Sequence, residues 1–315
     1  MKEKPTKTKA RNKIRKESTG ERIFDVFNTL FLRAVSIIAI YPLWYVICAS
    51  MSDSSTIAAS TRALLYPIIN KNGALGFTFD AYKTMLADPN LISGYRNTIF
   101  IVVVGTTINV IMTAICAYVL SREGTMLKKP FTLFIMFTMF FNGGMIPTYM
   151  VYMNVLHLRN SLFALILPGA ISVYNMIIMR TNFESIPKSL DEAARLDGAG
   201  HMRILFQIVI PLSKAIIAVM VLYYAVGHWN AWFNASLYIV DENKYPLQLV
   251  LRNILIVNDT SNMNEAMGSV DANTTNIGAT IKYALIVFST IPILCVYPFL
   301  QKHFTKGIMV GAVKG

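Results

Sequence analysis

The polar residues with the most informative spacing lie between two apolar runs, where Ser189 and Glu192 stand three positions apart. Ser-x-x-Glu is the pattern of a capping box, in which each side chain bonds a backbone N–H at the start of a helix. We therefore expect a helix to begin near Leu190, with Gly198 and Gly200 able to end it in a left-handed turn. So short a helix is unstable alone in water, which indicates an element that needs another surface to pack on.

Other reactive side chains form no catalytic or metal-binding pattern. The four histidines lie far apart, and no nucleophile–base pair stands out. The cysteines Cys48, Cys116 and Cys295 each lie inside an apolar run, so neither a disulfide framework nor a zinc site is favoured. The phosphate-binding pattern G-x-x-x-x-G-K-[ST] does not occur. The sequence thus predicts no enzyme, no catalytic residue, no metal and no cofactor bound by this chain.

The composition points to a membrane protein. Hydrophobic residues make up 54% of the 315 positions and charged residues only 15%, against about 25% charged in soluble domains. Six stretches contain no Asp, Glu, Lys or Arg and approach the ~20 apolar residues that a helix needs to cross a bilayer. They are 34–52, 97–121, 130–158, 160–179, 215–240 and 283–301. The predicted fold class is an all-α integral membrane protein of six transmembrane helices.

The distribution of basic residues predicts the orientation. One set of connecting and terminal segments holds 20 Lys and Arg residues, and the opposite set holds 8. Because basic segments stay in the cytoplasm, both termini are expected there. The net charge of +12 then reflects topology rather than nucleic-acid binding. We expect a basic cytoplasmic tail over 1–23, either lying on anionic lipid or simply solvated, and one transmembrane domain over 24–315.

A longer motif surrounds the polar helix. Glu192-Ala193-Ala194, Gly198, Ile208 and Pro211 match the pattern E-A-A-x3-G-x9-I-x-L-P, with Ile210 in place of leucine. On this motif the chain resembles the permease subunits of binding-protein-dependent ABC importers, which have the type I importer fold. The resemblance implies that the cytoplasmic loop 182–213 folds into a coupling helix that docks on a separate ATPase. It assigns ATPase coupling to Glu192, Ala193, Ala194, Asp197, Gly198, Ile208 and Pro211.

The resemblance also implies roles and partners. Ala193 and Ala194 would allow close approach, Glu192 would anchor the contact, Gly198 would make the turn, and Pro211 would direct the return to the fifth span. The expected partners are ATPase subunits that bind ATP and Mg²⁺, a second and different permease, an extracytoplasmic solute-binding protein and lipid. The alternative is an ion-coupled secondary transporter or channel. Such carriers need intramembrane ionisable residues, and the spans contain only Arg33 near one end.

Further segments resemble the maltose-permease-like carbohydrate branch, and among its members a subgroup for complex or uronate oligosaccharides. These segments are 94–98, 142–147, 168–175 and 227–234. The implied substrate is an oligosaccharide. Gly143, Gly144 and Pro147 predict a broken third helix, which serves as a gate or is a simple packing kink.

Aromatic and amide side chains suit sugar rings and hydroxyls, and several occur in the fourth and fifth spans. The candidates for a substrate pathway are Tyr174, Asn175, His228, Trp229, Asn230, Trp232 and Asn234. Tryptophan is also common at membrane interfaces as an anchor, which is the alternative interpretation of the two tryptophans. The partner permease is a further candidate for holding most of the substrate.

Overall fold

The computed structural model describes residues 19–54, 57, 64–69, 75–124, 126–266 and 280–295, without the side chains of 257–266. Within these residues the secondary structure is helical apart from one isolated bridge between Ile68 and Leu75. The all-α prediction is therefore confirmed for the part of the chain that the structure describes.

The helices follow the predicted apolar runs, with several breaks. They are α1 Thr19–Ser50, α2 Asp80–Leu86, α3 Pro89–Ser121, α4 Lys128–Phe140, α5 Met145–Val155, two 3-10 turns over Leu162–Gly169, α6 Val173–Glu184, α7 Lys188–Leu196, α8 His201–Leu212, α9 Lys214–Asn230, α10 Phe233–Tyr238, a 3-10 turn Glu242–Lys244, α11 Leu247–Ala266 and α12 Thr280–Cys295. The helix α1 begins well before the predicted span, since no proline lies between Thr19 and Arg33.

Two of the predicted spans are single long helices. By length and composition α1 and α3 can each cross a bilayer alone. Three more candidates are bent pairs of helices, with angles of 109° between α4 and α5, 48° between Leu162–Gly169 and α6, and 88° between α8 and α9. Up to five spans therefore lie within the described residues. The predicted run 283–301 extends beyond them, so the count of six stays a prediction.

The long helix α3 lies at the centre of the described structure and packs against α6, α9 and α11. Its buried face carries small and polar residues, including Gly94, Gly105, Thr113 and Ala117. Small side chains let helix backbones approach closely in membranes, where the hydrophobic effect does not drive helices together. This face explains why α3 can be the helix that several others contact.

Polar side chains on α3 and α9 satisfy the backbone where the fourth run is broken. The Asn109 side-chain amide donates a hydrogen bond to the Gly169 carbonyl. The Tyr224 hydroxyl accepts one from the Ser172 backbone N–H at 3.1 Å and is bonded to the Thr113 hydroxyl at 2.7 Å. Broken helix at membrane depth requires such internal partners, because lipid provides none.

Two apolar cores lie on either side of this polar layer. The first contains Ala117, Met176, Phe183 and Met220, together with residues of α7 and α8. The second contains Met85, Leu91, Trp229, Leu247 and Leu285. By contrast, α4 and α5 contribute no buried residue in the described structure. Most of their apolar side chains are exposed, although Ile135 packs against the first core and Tyr149 and Tyr152 pack against Tyr238.

The packing of α3 on α9 is tight at Gly105, and this gives the first prediction. A methyl group on Gly105 would lie 2.6 Å from His228 Nε2, and that nitrogen is bonded to Asn109 Oδ1 at 2.7 Å. We expect Gly105→Ala to displace the imidazole and to cost about 1 kcal/mol for the lost hydrogen bond. The midpoint of thermal unfolding in detergent should fall.

The matched control for this variant is Gly227→Ala on the facing helix, where an added methyl group meets nothing within 4 Å. It should be neutral or slightly stabilising, because alanine favours helix over glycine. Adding His228→Ala to Gly105→Ala opens the space, so the two effects should be less than additive. An unchanged unfolding midpoint in Gly105→Ala would show that the ring moves without cost.

Candidate functional site

The polar helix α7 begins differently from the prediction. It starts at Lys188 rather than near Leu190, and its first flanking residue is Pro187, whose carbonyl accepts the Leu190 N–H at 3.2 Å. No side chain of the described residues caps this end, so the capping box of Ser189 and Glu192 is wrong. The fixed φ of proline already directs the chain into the helix, and Ser189 consequently lies within the first turn.

The end of α7 is as predicted at one of its two glycines. Gly198 has a φ of +77°. Its N–H bonds the Arg195 carbonyl at 3.0 Å, and the Ala199 N–H bonds the Ala194 carbonyl at 2.9 Å. This pair of bonds is a Schellman motif, which satisfies the last carbonyls of the helix. Gly200 is instead extended and begins α8, so its predicted left-handed turn is wrong.

The motif residues of α7 divide between two faces. Ala194 is buried in the first core, so its small size serves packing within this chain. Glu192, Ala193 and Asp197 are exposed. The neighbouring Leu196 is 89% exposed and was not among the predicted site residues. An apolar residue directly before the helix stop, on a helix with polar neighbours, was the signal in the sequence.

The remaining motif residues lie in α8. Ile208 is half-buried against the first core, while Pro211 is exposed. Pro211 lies two residues before the 88° bend between α8 and α9, where Ser213 is the connecting residue. Its position agrees with the predicted change of direction at the end of this loop.

Ion pairs surround α7 and the preceding helix end. Lys188 is bonded to the Glu123 carboxylate and lowers its pKa below the usual value. Burial alone would raise the pKa of Glu184, but hydrogen bonds from Arg180 at 3.0 Å and Lys128 at 3.2 Å outweigh it and the pKa is lowered. These carboxylates therefore stay ionised through the neutral pH range.

The candidate pathway residues do not form one surface. Trp229 is only 8% exposed, its indole N–H donates to the Ser289 carbonyl at 3.2 Å, and Tyr95 meets its ring edge to face. It is a core residue, and we remove it from the proposed path. Asn175 is also buried, and His228 is half-buried against Asn109.

Four other candidates remain exposed, and they are Tyr174, Asn230, Trp232 and Asn234. The Trp232 ring lies 4.3 Å from the guanidinium carbon of Arg252, measured to the ring centroid. Arg252 is itself exposed. An aromatic face beside an arginine is a pairing that sequence spacing could not show, because Trp232 lies between α9 and α10 while Arg252 lies on α11.

The predicted gate residues lie at the sharpest of the three bends between paired apolar helices, 109°. Gly144, with a φ of +82°, separates α4 from α5. The Asn142 side-chain oxygen accepts the Gly144 N–H at 3.0 Å, and Gly143 adjoins Pro147. The predicted break in the third run is thus present.

The chain is similar to known proteins over nearly its whole length. Residues 14–310 match the family model described as binding-protein-dependent transport system inner membrane component. Protein LplC of Bacillus subtilis is 42% identical over 93% of this chain and 96% of that protein. The polygalacturonan/rhamnogalacturonan transport system permease protein YtcP, also of Bacillus subtilis, is 39% identical over 93% and 99%.

A solved structure is similar in fold as well. It is a crystal structure of a bacterial ABC transporter involved in the import of the acidic polysaccharide alginate. One of its chains superposes with a TM-score of 0.79 and 34% identity, covering 91% of this chain and 99% of that one.

The stop of α7 gives the second prediction. Alanine at position 198 would have to adopt a left-handed conformation, which costs an L-residue about 1–2 kcal/mol. We expect Gly198→Ala to loosen the end of α7 and to speed tryptic cleavage at Arg195 in inside-out vesicles. Gly200→Ala is the control, because Gly200 is extended and an added methyl meets nothing within 4 Å. Equal cleavage rates in the two variants would contradict this account of the helix stop.

Proposed function

Because this chain belongs to the family of binding-protein-dependent transport system inner membrane components, we propose that it is one permease subunit of an ATP-driven oligosaccharide importer. Its movement between outward-open and inward-open states follows the ATPase subunits. We propose six spans, cytoplasmic termini, a cytoplasmic tail over 1–23 and a cytoplasmic coupling loop over 182–213 within a single domain over 24–315.

The predicted resemblance is confirmed in its general form. The family is a transport system inner membrane component, YtcP is a transport system permease and the solved structure is an ABC transporter, and such permeases are membrane proteins and not enzymes. The predictions of a multi-pass protein of the cell membrane and of a chain without enzymatic activity are therefore confirmed. The alternative of an ion-coupled carrier finds no support in these relatives.

The coupling proposal is supported by the position of α7, which is fixed to the chain on one side and exposes an apolar residue at its end. Ala194 anchors the helix on the body of the chain, Gly198 stops it, and Leu196 stands 89% exposed at its end. Covering an apolar side chain of this kind with a partner would be favourable by about 25 cal/mol per Å² of apolar surface. We propose that the partner is an ATPase subunit that binds ATP and Mg²⁺, with Ala193 and Glu192 beside the contact.

The exposed apolar helices α4 and α5 support a further partner. None of their residues is buried in the described chain, although both carry large apolar side chains. We propose that a second, different permease and lipid cover them, and that the break at Gly144 lies on the substrate path as a gate. A solute-binding protein would deliver the sugar from outside.

Cysteine labelling and cross-linking give the third prediction. In a variant lacking Cys48, Cys116 and Cys295, Leu196→Cys labelled with a thiol-reactive photo-cross-linker should cross-link to the ATPase subunit on illumination, and in intact cells it should resist an impermeant thiol reagent. Glu242→Cys, on the opposite side in our topology, should be labelled. The reversed labelling pattern would show that the proposed topology is inverted. An assembled complex that forms no cross-link would refute the docking of α7 on the ATPase subunit.

The substrate proposal is narrower and comes from Arg252 and Trp232. The alginate transporter imports an acidic polysaccharide, and an exposed guanidinium beside an aromatic face offers the two contacts that an acidic sugar requires. The guanidinium can pair bidentately with a carboxylate, and the indole can stack on the sugar ring. We propose that the substrate is an acidic oligosaccharide and that this pair contacts it. Of the earlier candidates, Tyr174, Asn230 and Asn234 stay in the proposed path.

Uptake of matched sugars gives the fourth prediction. Arg252→Gln should lower uptake of an acidic oligosaccharide several-fold and leave that of its reduced, neutral analogue unchanged, because only the charged contact is lost. Arg252→Lys should be intermediate, since lysine keeps the charge and loses the planar fork. Arg96→Gln, an exposed arginine on α3, is the control. If Arg252→Gln lowers the uptake of both sugars equally, or of neither, then Arg252 and Trp232 do not select acidic substrates.

A further inference from the structure

The end of α3 meets the start of α7 through one mostly buried ion pair. Arg122 directly follows α3, and its side chain is 13% exposed. Its Nη1 lies 3.4 Å from Oδ1 of Asp191, whose side chain is 14% exposed. The guanidinium also lies 4.6 Å from the centroid of the Tyr118 ring. The guanidinium of Arg122 is thus held between an aromatic face on α3 and a carboxylate on α7.

A second ion pair joins the same two segments but is solvated. Lys188 of α7 is bonded to Glu123, with side chains 67% and 73% exposed. Exposed pairs contribute little because water and salt screen them, whereas removing one partner of a buried pair leaves an uncompensated charge. The chain therefore contains a mostly buried link and an exposed link between α3 and α7, and Asp191 of the buried link also pairs with Arg195 within α7.

The segments that join α7 to its neighbouring helices do not continue its helix. It joins α6 through a three-residue segment, Ser185–Pro187, and it joins α8 through Gly198, Ala199 and Gly200. Since α7 is a separate short element, its position on α3 depends on lateral contacts, which include this ion pair and Ala194 in the first core.

We infer that Arg122 and Asp191 form a clamp that passes the movement of α7 to α3. This inference rests on the proposed docking of α7 on an ATPase subunit. The helix α3 is continuous over 33 residues and also carries Asn109, which bonds the break at Gly169. A displacement applied at Asp191 therefore reaches the broken fourth run through one stiff helix. Arg122 and Tyr118 are positioning residues, because their effect is exerted through α7.

Binding of an ion in the adjoining cleft is a weaker interpretation. The cleft has a volume of about 470 Å³ and carries as many acidic as basic side chains. They are Glu123, Glu184, Asp191 and Glu192 against Arg122, Lys128, Lys188 and Arg195. Such a balance favours pairing among these residues over attraction of an anion or cation.

The test uses the complete transporter reconstituted in vesicles, with ATP hydrolysis and uptake measured together. We expect Arg122→Gln to raise the ATP hydrolysed per sugar transported several-fold, because α7 would move without carrying α3. Arg122→Lys should give a ratio of ATP hydrolysed to sugar transported between those of wild type and Arg122→Gln. Glu123→Gln breaks the exposed pair and should leave the ratio unchanged. Asp191 also pairs with Arg195 of α7 at 3.1 Å, so adding Arg122→Gln to Asp191→Asn should leave the ratio no worse than Asp191→Asn alone, because the pair with Arg122 is already lost.

The outcomes separate this inference from the docking proposal. If Arg122→Gln keeps the Leu196→Cys cross-link and a wild-type ratio of hydrolysis to transport, the clamp is refuted and docking stands. If hydrolysis and uptake fall in proportion to the amount of assembled complex, Arg122 is merely structural and the clamp is again refuted. If the cross-link fails in the otherwise unaltered assembled complex, it is the docking proposal that fails.

Discussion

The lack of hydrogen-bonding partners in lipid is the constraint on which this structure depends. Each interruption of a helix at membrane depth frees backbone groups that only the protein can satisfy. Asn109 and Tyr224 do this for the broken fourth run, by bonding the Gly169 carbonyl and the Ser172 N–H. A chain with three bent pairs of apolar helices is therefore tied to a few polar side chains at fixed heights along α3 and α9.

The same constraint makes α3 the element through which the others are related. Small residues on its buried face bring α9 close at Gly105 and α11 close at Gly94, where an added methyl group would lie 3.3 Å from the Leu247 backbone. Helices at such distances cannot slide independently without losing packing. A stiff central helix with close neighbours is suited to carry a movement from one end of the chain to the other.

The sequence predicted the features that depend on local chemistry. The apolar runs, the break near Gly144 and the left-handed stop at Gly198 follow from composition and from the φ values that glycine allows. The predicted start of α7 is wrong. Pro187 and the capping pattern each favour a helix start at a different residue, and the helix begins directly after Pro187. Local preference cannot rank two compatible signals two residues apart.

Burial and contacts between distant segments could not be predicted from the sequence. Tryptophan is a residue type that suits a sugar-binding site, yet Trp229 is buried in the core, where it contacts Tyr95 and Ser289. Trp232, three positions later, is exposed beside Arg252. The two tryptophans therefore differ in burial, because α9 ends at Asn230 and Trp232 lies beyond that end, where the chain changes direction. The same holds at the end of α3, where Arg122 and Glu123 are adjacent in sequence but form a mostly buried and an exposed ion pair. In both places the end of a helix decides which of two nearby side chains faces the interior, and spacing along the sequence does not predict which one it is.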